Sequence, residues 1–155
     1  MIEPVIIRPA QANEEAIIKA MIRGEQLDPF NVHWQNFLVA TEGERIIGIG
    51  QVKPYRSGRE LGSLVVAADR RQTGVAGAII QALIVRESGP LLLFCLAFRE
   101  PFYSKFGFRR VGLTDIPGSF KLKYALGVVF TRLMRQRVIV MERQAGLPAA
   151  GLPDG

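Results

Sequence analysis

Apolar positions recur along this chain with two periods, and the period of each segment predicts its element. Val5, Ile6 and Ile7 form a short run that stops at Pro9, a first strand. Ile17, Ile18, Met21 and Ile22 then repeat at helical spacing. Asn13 is placed to cap that helix, Glu14 and Glu15 suit its positive end, and Gly24 closes it. Residues 37–41 and 45–55 read as two strands joined by the tight turn Glu42-Gly43-Glu44. Gly48 and Gly50 interrupt the second strand and predict a bulge or a close backbone approach. Arg56-Ser57-Gly58-Arg59 is the next turn, and residues 61–66 are an apolar run ending in the β-branched Val65 and Val66, a buried strand.

A polar turn, residues 68–73, and Gly74 come next, followed by Val75, Ala76, Ile79, Ile80, Leu83 and Ile84 on one helical face. Ser88-Gly89-Pro90 ends that helix. Residues 91–97 predict a fully buried strand, Pro101 the first turn of a short helix over 102–106 with Gly107 as its exit, and 108–111 another strand. Two patterns compete over 119–136. Phe120, Leu122, Tyr124 and Leu126 alternate like a strand, whereas Leu122, Ala125, Leu126, Val129, Phe130 and Leu133 make a longer helical stripe, which predicts a helix. Residues 138–141 read as the last strand. The order of elements predicts an α/β fold, a mixed sheet with helices on both faces. Residues 1–143 form the expected domain, and 144–155, mostly Pro, Gly and Ala, an expected disordered tail.

Composition narrows the classes. The chain has 155 residues, 48% hydrophobic and 22% charged, which suits one globular domain with a real core. A net charge of +6 favours acidic partners such as nucleotide phosphates, nucleic acid or anionic lipid, or else merely keeps the surface soluble. A single cysteine, Cys95, excludes an internal disulfide and fits a reducing, cytoplasmic setting; on an apolar strand it reads as a small buried hydrophobe. Glu3, Pro4 and Arg8 interrupt any secretory core at the start, and no apolar run has the length of a membrane span.

The turn before the second long helix carries the chemistry. The first amides of a helix lack intrahelical partners and lie at its positive end, and small residues let a phosphate come close to them. Arg71, Gly74 and Ala76 read R-x-x-G-x-A, with Arg70 and Arg71 expected to add positive charge. The spacing is neither that of a P-loop nor of a dinucleotide-binding G-x-G-x-x-G. On the turn alone, phosphate binding and simple close packing of helix on strand stand level.

Leu64-Val65-Val66 with Arg71, Gly74 and Ala76, followed after another strand by Phe102-Tyr103-Ser104-Lys105-Phe106-Gly107-Phe108, resembles the GCN5-related N-acetyltransferases. The resemblance spans roughly residues 5–143. It implies a mostly antiparallel mixed sheet in which the strands flanking the central helix part to admit acetyl-CoA, and an N-acetyltransferase acting by direct attack of an amine in a ternary complex. It also implies that backbone groups of Leu64, Val65 and Val66 hold the pantetheine arm and that Arg71, Gln72, Thr73, Gly74, Val75 and Ala76 hold the pyrophosphate, mostly through backbone N–H groups with the Arg71 side chain secondary. Tyr103 matches the proton donor to the departing thiolate, a role its phenol suits at neutral pH, against a plain packing role. Glu60 matches a general-base position, against a solvated charge at a strand entrance. His33 is a further conceivable base, though a surface-loop histidine is the plainer account.

Where relatives carry an asparagine on the strand after the central helix, this chain has Cys95 and Leu96, which puts that cofactor contact in doubt. Lys121, Lys123, Arg132, Arg135 and Arg137 make the segment 121–137 wholly basic. It supplies the rival reading, a non-catalytic acyl-CoA-sensing or nucleic-acid-binding module, against a core helix edged by long cationic stems. No metal ligand set, nucleophile elbow or aromatic RNA-binding motif is present in the sequence, so no metal and no nucleic acid is expected. The acceptor amine, the length of the acyl group and assembly as a homodimer are left open.

Overall fold

The hairpin turn Glu42-Gly43-Glu44 closes because Gly43 takes the left-handed conformation (φ +57°) that such a short connection needs. It joins β2 (Phe37–Glu42) to β3 (Arg45–Tyr55), and β2 also pairs antiparallel with β1 (Val5–Pro9). The computed structural model describes residues 3–25, 27–133 and 136–146. The other elements are α1 (Glu15–Gly24), β4 (Gly58–Val66), α2 (Val75–Glu87), β5 (Leu91–Leu96), α3 (Glu100–Ser104), β6 (Arg109–Arg110), α4 (Gly118–Leu133) and β7 (Val138–Arg143). Among the described residues seven strands are hydrogen-bonded in the order β1-β2-β3-β4-β5-β7-β6. β4 and β5 are parallel, paired at Glu60↔Leu92, while β5–β7 and β6–β7 are antiparallel, so the sheet is mixed as expected.

The chain packs as two compact units, Met1–Lys53 with Leu61–Arg86, and Pro54–Glu60 with Glu87–Gly155. In the first, strand alternation sends Phe37, Val39 and Ile49 to one face, where Ile18 and Ile22 of α1 cover them together with Val65. The opposite face meets α2. A Cβ at Gly48 would lie 2.9 Å from Ile79 and Val75, and one at Gly50 2.7 Å from Ile79. The two glycines are therefore the seats of a close-packed helix. A register shift at Ala40/Thr41 places a bulge beside them, so both predicted reasons for the glycines apply.

In the second unit Leu92, Ile116, Phe120 and Val140 form a core with Tyr55, Phe94 and Tyr124 packed against it. Alternation along β5 puts Cys95 on the opposite face from Leu92 and Phe94. Each unit therefore carries side chains on both faces of its strands.

Several expectations shift in detail. Asn13 does not cap α1. It lies inside a 3-10 turn, Ala12–Glu14, where the Glu14 carboxylate accepts from the Gln11 amide (2.8 Å) and from Arg8 (2.5 and 3.1 Å). That carboxylate turns back onto Gln11 and Arg8, and α1 begins at Glu15 with no side-chain cap. Ile17 is 49% exposed, because the buried stripe of α1 is narrower than the four apolar positions suggested. The strand predicted over 108–111 shortens to β6, and β5 is buried only in its first half. Residues 119–136 are helical through Leu133. The alternating pattern there is an accident of spacing. Most of the predicted tail (147–155) and Arg135 lie outside the described residues.

Candidate functional site

After Val66 the chain makes a 3-10 turn, Ala68–Arg70, and then reverses through two left-handed residues, Gln72 (φ +61°) and Gly74 (φ +88°), into α2. Thr73 Oγ1 donates to the Arg70 carbonyl and braces the reversal. The Gly74 carbonyl accepts from the Ala78 amide (3.1 Å), so Gly74 stands at the N-cap of α2. A Cβ at Gly74 would meet nothing within 4 Å, and the first turn of α2 carries no acidic side chain. Among the described residues the amides from Gln72 to Gly77 donate to no protein acceptor. Left-handed residues interleaved in such a reversal aim backbone N–H groups into one concavity, and the helix dipole adds to their pull on an anion.

The arginines behave otherwise than the sequence suggested. Arg70 donates to Glu42 (2.6 and 2.9 Å) and to Asp69 (3.0 Å), and Arg45 grips Asp69 through two bonds of 2.8 Å. The Arg45 guanidinium holds the Asp69 carboxyl down to about 2. Arg71 pairs with Glu25 at 2.5 Å and reaches the Val66 carbonyl at 3.4 Å. Each cation beside the turn is thus matched by a carboxylate, and the arginines brace the loop instead of adding free charge. A cleft of about 750 Å³ beside Thr73 and Val75 is lined by Glu3, Glu42 and Asp69 against Arg70. Three carboxylates to one guanidinium make poor ground for a diphosphate, which leaves anion binding to the bare amides.

Just upstream, Ser63 is left-handed within β4 (φ +51°), held by a 2.8 Å bond from Gln51 Nε2 to its Oγ. Gln51 is fully buried, and among the described residues its Oε1 has no partner. Neither residue type announces a kink, so this pair leaves no signal in the sequence. Leu64, Val65 and Val66 follow directly, Val65 buried and its neighbours half-buried.

In the second unit Pro101 occupies the first turn of α3 and Gly107 (φ +87°) ends the segment, as predicted. Tyr103 is half-buried, its ring edge-on to Phe102 (5.1 Å) and Phe108 (6.2 Å). Burial, with the nearby Cys95 thiol, pushes its phenol up to about 12. Among the described residues its hydroxyl has no protein hydrogen-bond partner. Burial likewise raises the Cys95 thiol to about 11, so that residue is a protonated packing group lying 3.8 Å from the Met141 sulfur. His33 is exposed on its loop.

Glu60 is not a solvated charge. It is buried, and both its oxygens accept from Lys123 Nζ at 2.7 and 2.8 Å. The same ammonium lies 3.3 Å from the Tyr55 hydroxyl and over the rings of Tyr55 (5.6 Å) and Phe94 (5.4 Å). A partner 63 positions away leaves no local signal, so the sequence showed Lys123 only as one of a basic run. Of the rest of that run, Lys121 and Arg137 are exposed. Among the described residues no group of three or more His, Cys, Asp or Glu is arranged to hold a metal ion, and no helix is long and apolar enough to cross a membrane.

A family model described as an acetyltransferase (GNAT) domain matches residues 33–110. Among solved structures, the chain is similar to N-acetylglutamate synthase from Neisseria gonorrhoeae complexed with coenzyme A and N-acetyl-glutamate (TM-score 0.75, 16% identity, 93% of this chain and 36% of that one). It is also similar to Rv2747 from Mycobacterium tuberculosis in complex with CoA (TM-score 0.71, 14% identity, 90% and 98%). A third similar structure is the ribosomal-protein-S18-alanine N-acetyltransferase from Escherichia coli (TM-score 0.64, 12% identity, 96% and 99%). The chain spans about a third of the length of the gonococcal synthase chains it matches. No curated protein matches the chain significantly.

Proposed function

The chain belongs to the acetyltransferase (GNAT) domain family, whose model covers half of its length, and from that premise we propose that it is an N-acetyltransferase moving an acetyl group from acetyl-CoA to a primary amine. The observation that carries the reading is the reversal at Gln72–Thr73–Gly74, whose amides have no protein partner among the described residues at the start of α2. Those amides, from Gln72 to Ala76, hold the pyrophosphate of the co-substrate, and Arg71 keeps the loop in shape through Glu25. Backbone groups of Leu64, Val65 and Val66 take the pantetheine arm, and an N–H near Val66 faces the developing oxyanion.

The amine nitrogen attacks the thioester carbon and the carbon–sulfur bond breaks. Tyr103 gives its proton to the departing thiolate. A phenol kept protonated well past neutrality is a donor throughout the physiological range. The nitrogen must shed a proton, since an aliphatic amine is mostly protonated at pH 7. Glu60 is the proposed acceptor of it, directly or through water, once its carboxylate is released from Lys123. Assembly of amine and co-substrate in one complex avoids an acyl-enzyme, and Cys95, held as a thiol by burial, is not needed as a nucleophile. The single cysteine agrees with a cytoplasmic setting.

Release of free CoA, measured across a panel of alkylamines, amino acids, polyamines and peptides, tests the reading. Amine-dependent release is expected for at least one class. Tight CoA binding with no release from any of them would leave an acyl-CoA sensor in place of an enzyme.

A further inference from the structure

Ordinary surface ion pairs in this chain, such as Lys19–Glu15, join two exposed side chains. The pair at Glu60 is built differently. The Glu60 side chain is 6% exposed and that of Lys123 27%, and the ammonium meets both carboxylate oxygens, a phenol oxygen and two ring faces together. These are the components that recognise a primary ammonium: a carboxylate that accepts two of its three N–H bonds, and π faces that attract its charge. The walls are strand residues, Tyr55 on β3, Glu60 on β4 and Phe94 on β5, whereas the occupant comes from α4. Behind the walls Phe120 packs on Tyr55 (4.8 Å between ring centroids) and on Phe94 (6.1 Å), so the box is held in shape by a residue other than the lysine that fills it.

We propose that Tyr55, Glu60 and Phe94 form a recognition site for an unbranched alkyl primary ammonium, filled in this structure by the chain's own Lys123, and that the acceptor amine enters when Lys123 withdraws. The part concerning the acceptor rests on the N-acetyltransferase reading above; the box itself rests on its geometry. Lys123 thereby acts as an internal competitor. A site free for only a fraction of the time binds its ligand with an affinity reduced by that fraction. The pairing also ties up the carboxylate proposed as base, so occupancy by Lys123 and deprotonation by Glu60 exclude one another.

Propylammonium is the probe, titrated calorimetrically into the wild type, Lys123→Ala and Lys123→Ala/Glu60→Gln. Binding is expected in Lys123→Ala alone, with neither propanol nor trimethylpropylammonium replacing it. In parallel, Lys123→Met, which keeps the stem and removes the charge, is expected to lower the KM for an amine acceptor about tenfold, the effect of freeing a site otherwise open a tenth of the time, with the KM for acetyl-CoA unchanged. Should Lys123→Ala unfold, restoration of its fold by propylammonium but not propanol supports the box, and failure of both to restore it counts against it. The inference is overturned if propylammonium binds Lys123→Ala no better than the double variant, or if Lys123→Met leaves the amine KM unchanged or raised while CoA still binds. If neither wild type nor Lys123→Met releases CoA with any amine, the enzyme reading fails on its own, and the propylammonium titration still decides the box.

Discussion

β4 ends in two contrasting ways. At its start the Glu60 carboxylate is saturated, both oxygens taken by Lys123; beyond its end the amides from Gln72 to Gly77 have no protein acceptor among the described residues. The contrast extends further. Arg70, Arg71 and Asp69 are paired, whereas the Tyr103 hydroxyl has no protein hydrogen bond among the described residues. Polar groups that a fold leaves bare where it satisfies their neighbours are the ones a ligand is expected to complete. Substitutions at bare groups should therefore cost function, and those at the saturated pairs around the turn should cost mainly local stability. Glu60, saturated but proposed as the base, is the exception and should cost turnover.

The largest break in that contrast comes at Gly74. Gly74→Glu sets a negative charge among amides proposed to hold a diphosphate, and calorimetric titration should show no CoA binding. The space there is open, so the fold survives the left-handed backbone cost of about 1–2 kcal/mol. Gly74→Ala carries that same cost without the charge and should keep measurable affinity. If Gly74→Glu binds CoA tightly, the bare amides are not the phosphate site.

Next in size is Tyr103→Phe. Loss of a general acid reduces turnover by about 10²–10⁴-fold, while CoA affinity should hold because only a hydroxyl is lost from a ring packed on Phe102 and Phe108. Unchanged kcat at saturating substrate would remove Tyr103 from the chemistry and leave it a packing residue.

What could be read beforehand follows the same division. Period and punctuation carried β3 to its exact bounds, Arg45–Tyr55, and α2 to its start after Gly74, because alternation and helical spacing are local properties. Gly74 itself was legible, since only glycine takes φ +88° there without strain. The saturation was not. Arg45–Asp69, Arg70–Glu42, Arg71–Glu25 and Lys123–Glu60 join positions 24 to 63 apart, and no local pattern in a single sequence encodes such distances. Charge counted along the chain therefore overstated the free positive charge at the turn. Asn13 failed as a cap for a different reason: the chain enters α1 through the 3-10 turn Ala12–Glu14, which puts Asn13 inside the turn and not at its N-cap.

A smaller effect should appear in alkali. Burial keeps Cys95 and Tyr103 protonated to about 11 and 12, above the ordinary 9.0 and 10.0. A raised pKa stabilises the fold fully below the unfolded value and loses that contribution as pH climbs through the folded one. Stability then falls as pH climbs, through Cys95 between about pH 9 and 11 and through Tyr103 between about pH 10 and 12. Chemical denaturation across that range should show the fall. Cys95→Ala should flatten its lower part, and a curve equally steep without the thiol would mean that Cys95 is not a source of it.

The smallest expected change sharpens the contrast most, because it separates a braced Arg71 from the free cation that charge counted along the chain suggested. If the arginine of the R-x-x-G-x-A turn were a free cation waiting for phosphate, Arg71→Ala would remove a charge-assisted bond and weaken CoA binding steeply, the more so at low salt. Here its guanidinium is already shared between Glu25 and the Val66 carbonyl, in an ion pair whose side chains are both about half exposed. Such a pair is worth about 0–1 kcal/mol. Arg71→Ala should therefore raise the CoA Kd by less than about tenfold, nearly independently of ionic strength, and Glu25→Gln should leave Kd unchanged or slightly lower as it frees the guanidinium. A salt-dependent loss of a hundredfold or more in Arg71→Ala would move Arg71 from the saturated groups to the bare ones, and the turn would then hold its anion by side chain as much as by backbone.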